Sequence, residues 1–303
     1  MPEAADAIRT MRVRGAAAIA CLGATTLGHH VAGLAGGLPA VHAGARRAAG
    51  ILFATRPTAV SLRNGLGAVL APVLAATDAD AARAEAPVAA NAFVAAVDAS
   101  GQAIAEHGSS LLAAGGAVLT HCHSTTVIDV LRRAQARGAD LHVYATETRP
   151  FRQGLVTVRA LHDGGVPCTL IVDSAVSHVL ETKAIRWVLV GADTVAADGT
   201  LFNKVGTAGV CALAQRRGVP VHSAAGFYKF TRQPPGAIPI EERAPSEVVP
   251  DSDVPPGVAV FNPVFDRTAP GLLTSYITEA GPRTPGEAVR QALGRLPASE
   301  ALA

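Results

Sequence analysis

At 303 residues with a formal net charge of +2, the chain is long enough to bury a sizeable core, and its Lys and Arg are too scattered for a nucleic-acid surface. Four cysteines, Cys21, Cys122, Cys168 and Cys211, lie far apart with no C-x-x-C pair, which argues against a zinc ribbon or a disulfide framework and for a reducing cytosol. Hydrophobic residues make up 49% and aromatics only 4%, so much of the apolar content is alanine and helices should be numerous and closely packed.

The first 114 residues read as helical throughout. Ile8, Met11, Ala18 and Leu22 recur at helical spacing, and further helices are expected over 40–54, 58–76 and 79 to about 107. Thr55 is a cap candidate with Pro57 in the first turn of the third, and Asp78 or Asp80 starts the fourth. The run from Arg12 to Cys21 resembles a secretion signal with a lipidated cysteine. Its apolar part is short, and Glu3 and Asp6 place acid where such signals are basic, so no targeting segment is expected. The run on to Pro39 holds His29, His30 and many glycines and does not read as a membrane span; a cytoplasmic protein is expected.

Beyond His107, Gly108, Gly115 and Gly116 the rhythm changes. Strands are predicted at 117–121, 141–147, 168–173, 187–193 and 220–225, alternating with helices at 124–137, 152–163, 174–184 and 203–217. Such alternation implies a parallel sheet. The fold class is therefore α/β: an N-terminal helical domain, 1–114, followed by a Rossmann-like parallel sheet covered by helices on both faces, 115–303. Prolines crowd 231–270, which reads as loop with short extended pieces, and a last helix is expected near 286–294.

Chemistry-bearing residues gather at the predicted carboxyl ends of strands, where open α/β sheets bind ligands. Asp193 follows one such end behind Gly191 and Ala192, with an apolar wall of Trp187, Val188, Leu189 and Val190. Asn203 and Lys204 stand at a predicted helix start, where free N–H groups and an ammonium suit an anion; a helix cap and a solvated lysine are the plainer alternatives. Cys122, in THCHS, precedes a predicted helix that should lower its thiol pKa, although a small core cysteine fits as well. His121 and His123 flank it but should face opposite ways. Glu147 and Lys229 fall at two further strand ends. In the helical region, Arg14 ahead of Gly15, Ala16 and Ala17 fits an anion pocket or a solvated arginine, and Arg56, projecting from a predicted helix start, is well placed for an anion.

Six blocks in order, RVRGAAAIA, TRPTAVSL, VLTHCHS, ETRPFRQG, GADTVAADGTLFNKVGT and FNPVFDRTAPGLLTSYITEAG, resemble one superfamily. It contains the alpha, beta and delta subunits of translation initiation factor 2B, methylthioribose-1-phosphate isomerase and archaeal-type ribose-1,5-bisphosphate isomerase. The likeness runs from about residue 8 to 281 and, by chain length, is nearest the ribose-1,5-bisphosphate branch. It implies an aldose–ketose isomerase with Cys122 and Asp193 as catalytic pair, Asp193 the general acid and Cys122 the general base. It further implies substrate contacts at Arg14, Gly15, Ala16, Ala17, Arg56, Asn203, Lys204 and Lys229. The partner it implies is a small sugar phosphate, with assembly into a homo-oligomer, a dimer or a dimer-built hexamer. No metal, no cofactor, no nucleic acid and no membrane are expected. Methylthioribose 1-phosphate as substrate and a non-catalytic regulatory subunit remain the alternatives. Asp198-Gly199 replaces the usual Asn-Gly turn, and 231–257 is unusually proline-rich, which bears on the lid over the site.

Overall fold

A computed structural model describes residues 1–296 and divides the chain into two compact units. The first comprises Met1–Ser100, Phe227–Arg232 and the segment from Arg290; the second comprises Gly101–Gly226 and Gln233–Val289.

The first unit is helical: α1 (Pro2–Arg9), α2 (Ala16–Ala32), α3 (Leu38–Phe53), α4 (Val60–Ala75) and the first part of α5 (Ala79–Leu111). Its core is built from Ile8, Ile19, Leu27, Leu52, Leu62, Leu66 and Leu70, all fully buried, with alanines such as Ala24, Ala45 and Ala86 filling the space between backbones. Small side chains let helix axes approach closely, so an aromatic-poor chain can still fill its core. Asp78 caps α5, accepting from the Ala81 N–H at 2.8 Å. The Thr55 cap does not form. Its hydroxyl donates back to Leu52 O at 2.6 Å, closing α3, and α4 begins only at Val60 after the turn through Pro57.

Helix α5 has 33 residues and, by length and composition alone, could cross a membrane. Protein partners engage its polar residues instead: Arg83 donates to Leu34 O at 2.6 Å and to Gly36 O, and Glu106 pairs with Arg133 and Arg137 at 2.8 and 2.6 Å.

The second unit carries the sheet: β1 (Gly116–Thr120), α6 (Thr125–Ala136), β2 (Leu141–Thr146), α7 (Gln153–Asp163), β3 (Cys168–Ile171), α8 (Val176–Thr182), β4 (Ile185–Val190), β5 (Thr194–Val195), β6 (Leu201–Lys204), α9 (Thr207–Arg216), β7 (Val221–Ala224), β8 (Phe265–Thr268), β9 (Ser275–Thr278), β10 (Gly281–Arg283) and α10 (Pro285–Leu293, whose last turns fall in the first unit). Seven strands run in the order β10-β9-β7-β4-β1-β2-β3, all parallel except β10. Right-handed crossovers put α6 and α7, which pack together, on one face, and α8 and α9 on the other. The strand order reverses between β1 and β4. At such a switch point the two outgoing chains diverge to opposite faces and leave a crevice.

Three features depart from the expected elements. Residues 201–204 are strand, not the start of a helix: β6 sits between β5 and β8 in a small antiparallel sheet, and α9 begins at Thr207. The main sheet does not close at 220–225, because β9 adds in parallel beside β7 and β10 caps the edge. The strand expected at 168–173 ends at Ile171 and lies at the sheet edge, and Leu170 and the following Val172 stay exposed.

Candidate active site

The chain leaves β1 through His121, Cys122 and His123 before Ser124 caps α6, and it leaves β4 through Gly191, Ala192 and Asp193. Because β1 and β4 are neighbours on either side of the switch point, these two exits face each other. Gly191 makes the approach possible: a Cβ there would stand 2.8 Å from the Ser124 side chain, so no other residue fits without moving the cap of α6. Ser223 fixes the same loop by donating to Gly191 O at 3.0 Å.

Cys122 occupies the left-handed region at φ 69°, uncommon for a residue with a side chain and concentrated at functional sites. Its N–H donates to Thr148 Oγ1 at 2.9 Å, and its carbonyl accepts from Thr157 Oγ1 at 2.9 Å. The expected lowering of its thiol pKa is not what the site produces. Burial raises it to about 11; the Lys204 ammonium and the His123 N–H pull down, and the nearby Asp193 and Asp173 carboxylates push up. Two residues outside the helix cap, Cys122 gains little from the dipole of α6. The Asp193 N–H lies on Phe202 O at 3.0 Å, which ties the β4 exit to the strand that ends in Lys204. The wall expected around Asp193 is corrected at one position: Trp187 lies toward the other end of β4, its indole N–H on Gly115 O at 3.4 Å and its ring against His222.

His121 and His123 diverge as neighbours along an extended chain should. His123 reaches Thr157 on α7 at 3.1 Å, while His121, buried, contacts Thr146 Oγ1 at 2.7 Å and Val205 O at 2.9 Å. Gly206 accommodates that imidazole, for a Cβ there would lie 2.9 Å from the ring, and its φ of +105° suits glycine.

Asn203 and Lys204 are buried at the end of β6. The Asn203 amide donates to Thr207 Oγ1 at 3.1 Å, and the Lys204 ammonium lies 5.3 Å from the Phe265 ring centroid. The anion clamp expected at the following helix start is already filled. Asp266 on β8 accepts from Gly206 N–H at 2.7 Å and from Ala208 N–H at 3.1 Å, so a carboxylate of the protein itself takes the free amides of α9. Near the end of β2, Glu147 pairs loosely with Arg152 at 3.8 Å. Gln153, which sequence reasoning passed over inside ETRPFRQG, has a buried side-chain oxygen with no hydrogen-bond partner, a signal visible only in three dimensions.

The other candidates belong to the first unit. Arg14 donates to Met11 O at 2.9 Å, and Gly15, at φ 90°, precedes Ala16 and Ala17 at the start of α2 with open space where its Cβ would be. Arg56 lies in the turn between α3 and α4, its N–H on Phe53 O at 3.1 Å. Lys229 is buried, 5.6 Å from the Tyr228 ring centroid, in a segment that Asn64 of α4 anchors through Tyr228 O and Phe230 O, both at 2.9 Å.

Fold and strand edge together define a doubly wound α/β protein with a thiol, a carboxyl group and an ammonium at its switch point. The chain belongs to the Initiation factor 2 subunit family, whose model matches residues 12–285. It is similar to methylthioribose-1-phosphate isomerase of Syntrophotalea carbinolica, 40% identical over 91% of this chain and 86% of that one. It is 39% identical to 5-deoxyribose 1-phosphate isomerase of Moorella thermoacetica, covering 91% and 84%, and 38% identical to ribose 1,5-bisphosphate isomerase of Archaeoglobus fulgidus, covering 92% and 88%. Among solved structures, 5-methylthioribose 1-phosphate isomerase of Pyrococcus horikoshii superposes with a TM-score of 0.80 at 28% identity over 96% of this chain and 87% of that one. The Pyrococcus horikoshii translation initiation factor eIF-2B shares the fold at a TM-score of 0.81 and 23% identity, covering 95% and 98%. The chain is an enzyme of the isomerase class.

Proposed function

We propose that this enzyme converts ribose 1,5-bisphosphate to ribulose 1,5-bisphosphate, with Cys122 and Asp193 as the proton-transferring pair. The observation that supports this reading is that β1 and β4, which lead out to Cys122 and Asp193, pair side by side at the switch point, with the Asp193 N–H on Phe202 O at 3.0 Å, two residues before Lys204. A phosphate on C1 blocks spontaneous ring opening, so the ring oxygen must be protonated as C2 loses its proton. Asp193 donates to the ring oxygen and Cys122 takes the C2 proton, which leaves an enol between C1 and C2. Cys122 then returns its proton to C1 while Asp193 recovers one from the C2 hydroxyl, and the ketone results with both groups restored.

Those roles need a thiolate beside a neutral acid, whereas the resting thiol is protonated. One proton moved from sulfur to Asp193 supplies both. It removes a carboxylate charge that opposes ionisation of Cys122, and Lys204 and the His123 N–H stabilise the sulfur that remains. Asn203, Lys204, Arg14, Gly15 to Ala17, Arg56 and Lys229 are the substrate-contacting positions that the resemblance implies. Gln153 is added to them for its unused buried acceptor. Self-association into dimers or larger assemblies belongs to the same reading and is measured by sedimentation velocity.

The 40% identity to a methylthioribose-1-phosphate isomerase favours a second reading, the same chemistry on a sugar whose C5 carries a thioether. Kinetics on ribose 1,5-bisphosphate, 5-methylthioribose 1-phosphate and 5-deoxyribose 1-phosphate side by side decide between them. The highest kcat/KM is expected with the bisphosphate; preference for either 5-deoxy sugar would replace it as substrate, and no turnover of any of the three would overturn this choice of substrates. Cys122→Ser and Asp193→Asn are each expected to lower kcat by about 10²–10⁴-fold.

A further inference from the structure

Behind Cys122 runs a chain of buried hydrogen bonds whose direction can be worked out atom by atom. His121, Thr146 and Thr148 are 3%, 1% and 0% exposed, so water does not enter the count. Val205 O can only accept, so His121 Nε2 carries the proton at that 2.9 Å contact. Burial keeps the imidazole neutral, which leaves Nδ1 an acceptor, and the Thr146 hydroxyl must donate to it at 2.7 Å. With its proton committed, Thr146 can only receive from the Thr148 hydroxyl, which lies 3.1 Å from Thr146 Oγ1 and 3.3 Å from Thr146 O and shares its one proton between them. Thr148 Oγ1 in turn accepts the Cys122 N–H at 2.9 Å. The Thr146 hydroxyl donates to His121, the Thr148 hydroxyl donates to Thr146, and the chain runs from Cys122 to Val205, the residue after Lys204.

The Cys122 end of this chain is under backbone constraint. Thr148, at φ 60°, sits like Cys122 in the left-handed region, unusual for a β-branched residue. Asp173 holds it there, accepting the Thr148 and Arg149 N–H groups at 2.7 and 2.8 Å. Strained conformations persist only where the surroundings over-determine them.

We propose that Thr148, Thr146 and His121 form a directional hydrogen-bond relay that holds the Cys122 backbone in its left-handed conformation and in register with the Lys204 strand end, which makes Thr148 a positioning residue for the reaction. The proposal rests on the catalytic reading of Cys122. The carboxylate of Asp173 and the ammonium of Lys204 are the charged groups that bear on the relay histidine.

The test compares Thr148→Val, which keeps size and branching but removes the hydroxyl, with Thr148→Ser, which keeps the hydroxyl, and with Thr146→Val. Thr148→Val is expected to lower kcat about 10²-fold with KM little changed, since a misplacement near 1 Å costs that order. Alkylation of Cys122 by iodoacetamide at pH 8, followed at its own peptide by mass spectrometry, should slow in parallel as the sulfur leaves Lys204. Thr148→Ser should restore both to within a few-fold. Thr146→Val should match Thr148→Val, and the double variant should be no worse than either alone, because a broken relay is broken once. Wild-type kcat and alkylation in a folded Thr148→Val protein would overturn the relay, as would additive losses or failure of Thr148→Ser to rescue. Should Thr148→Val fail to fold by thermal melting, the Thr146→Val and Thr148→Ser comparison carries the decision. Cys122→Ala separates the two levels: activity retained there sinks the catalytic reading, and activity lost there with Thr148→Val unaffected sinks the relay alone.

Discussion

Cys122 sits where opposing influences meet: loss of water raises its thiol to about 11, while the Lys204 ammonium and the His123 N–H pull the other way. In the free enzyme at pH 8 roughly one thiol in a thousand is therefore ionised. Iodoacetamide should react slowly with Cys122 near neutrality and about tenfold faster for each pH step until the curve flattens near 11; a plateau below pH 8 would contradict this. Lys204→Met removes the nearest positive charge and should move the curve to still higher pH. The sequence placed Cys122 and Asp193 at strand ends because apolar runs ending in Gly or in small polar residues are local signals. It gave no hint of Thr148 as a partner of Cys122. That bond depends on how far β2 extends beyond β1, a property of pairing and not of composition. The thiol shift was invisible for the same reason, since burial belongs to the folded surroundings and helix proximity alone argues the opposite sign.

Elements position these residues through a few contacts that tolerate no added volume. Gly191→Ala would set a methyl group against the cap of α6, 2.8 Å from Ser124. It should cost activity more than stability: kcat down at least about tenfold, with a melting shift of a few degrees, as one disturbed cap costs about 1 kcal/mol. Unchanged kcat would show that the two strand exits need not touch. Asp266→Asn keeps an acceptor for the α9 amides and should be mild, whereas Asp266→Ala strips the cap and should destabilise by about 1 kcal/mol, read by urea denaturation. The parallel strands β1, β2, β4 and β7 were legible because each is a short apolar run followed by a helix-period stretch. Segment 201–204 was not. LFNK followed by VGTAGVCALAQRR satisfies a helical pattern, and what makes it strand is pairing with β8, whose Asp266 stands opposite Asn203 across 63 residues of chain (266 − 203). Prolines between hid that partner.

For the whole molecule, several groups bear on the response to acid, buried His121 and half-buried His123 among them, whose pKa values desolvation lowers; His222 and Glu106 show the two directions. His222 is buried against Trp187 and Ser275, and burial pushes its pKa down from 6.5 to about 4. Its folded form binds a proton less readily than the unfolded chain, so stability is full above about 6.5 and is lost as pH falls toward 4, by about 3 kcal/mol in all. Glu106, held down to about 2 by Arg137 and Arg133, contributes above its ordinary 4.5 and is lost only below that. Melting temperature should thus fall between pH 7 and 4. Substituting His222 by Gln should flatten that slope, and a slope unchanged in the variant would assign acid sensitivity elsewhere. At this scale the helical first part and the parallel α/β second part were legible from the change in hydrophobic period. The last two strands of the main sheet were not, because β9 follows a proline-dense segment and joins by a long return. Sequence runs carry period well and long-range pairing poorly.

The most direct measurement is a crystal structure of the Asp193→Asn protein with ribose 1,5-bisphosphate bound and Cys122 intact. The sulfur is expected about 3–3.5 Å from C2 of the sugar, with the side chain at position 193 within hydrogen-bond reach of the ring oxygen. A sugar seated away from the β1 and β4 exits, or a Cys122 sulfur turned from C2 with protein packed between, would contradict the pairing on which the chemistry depends.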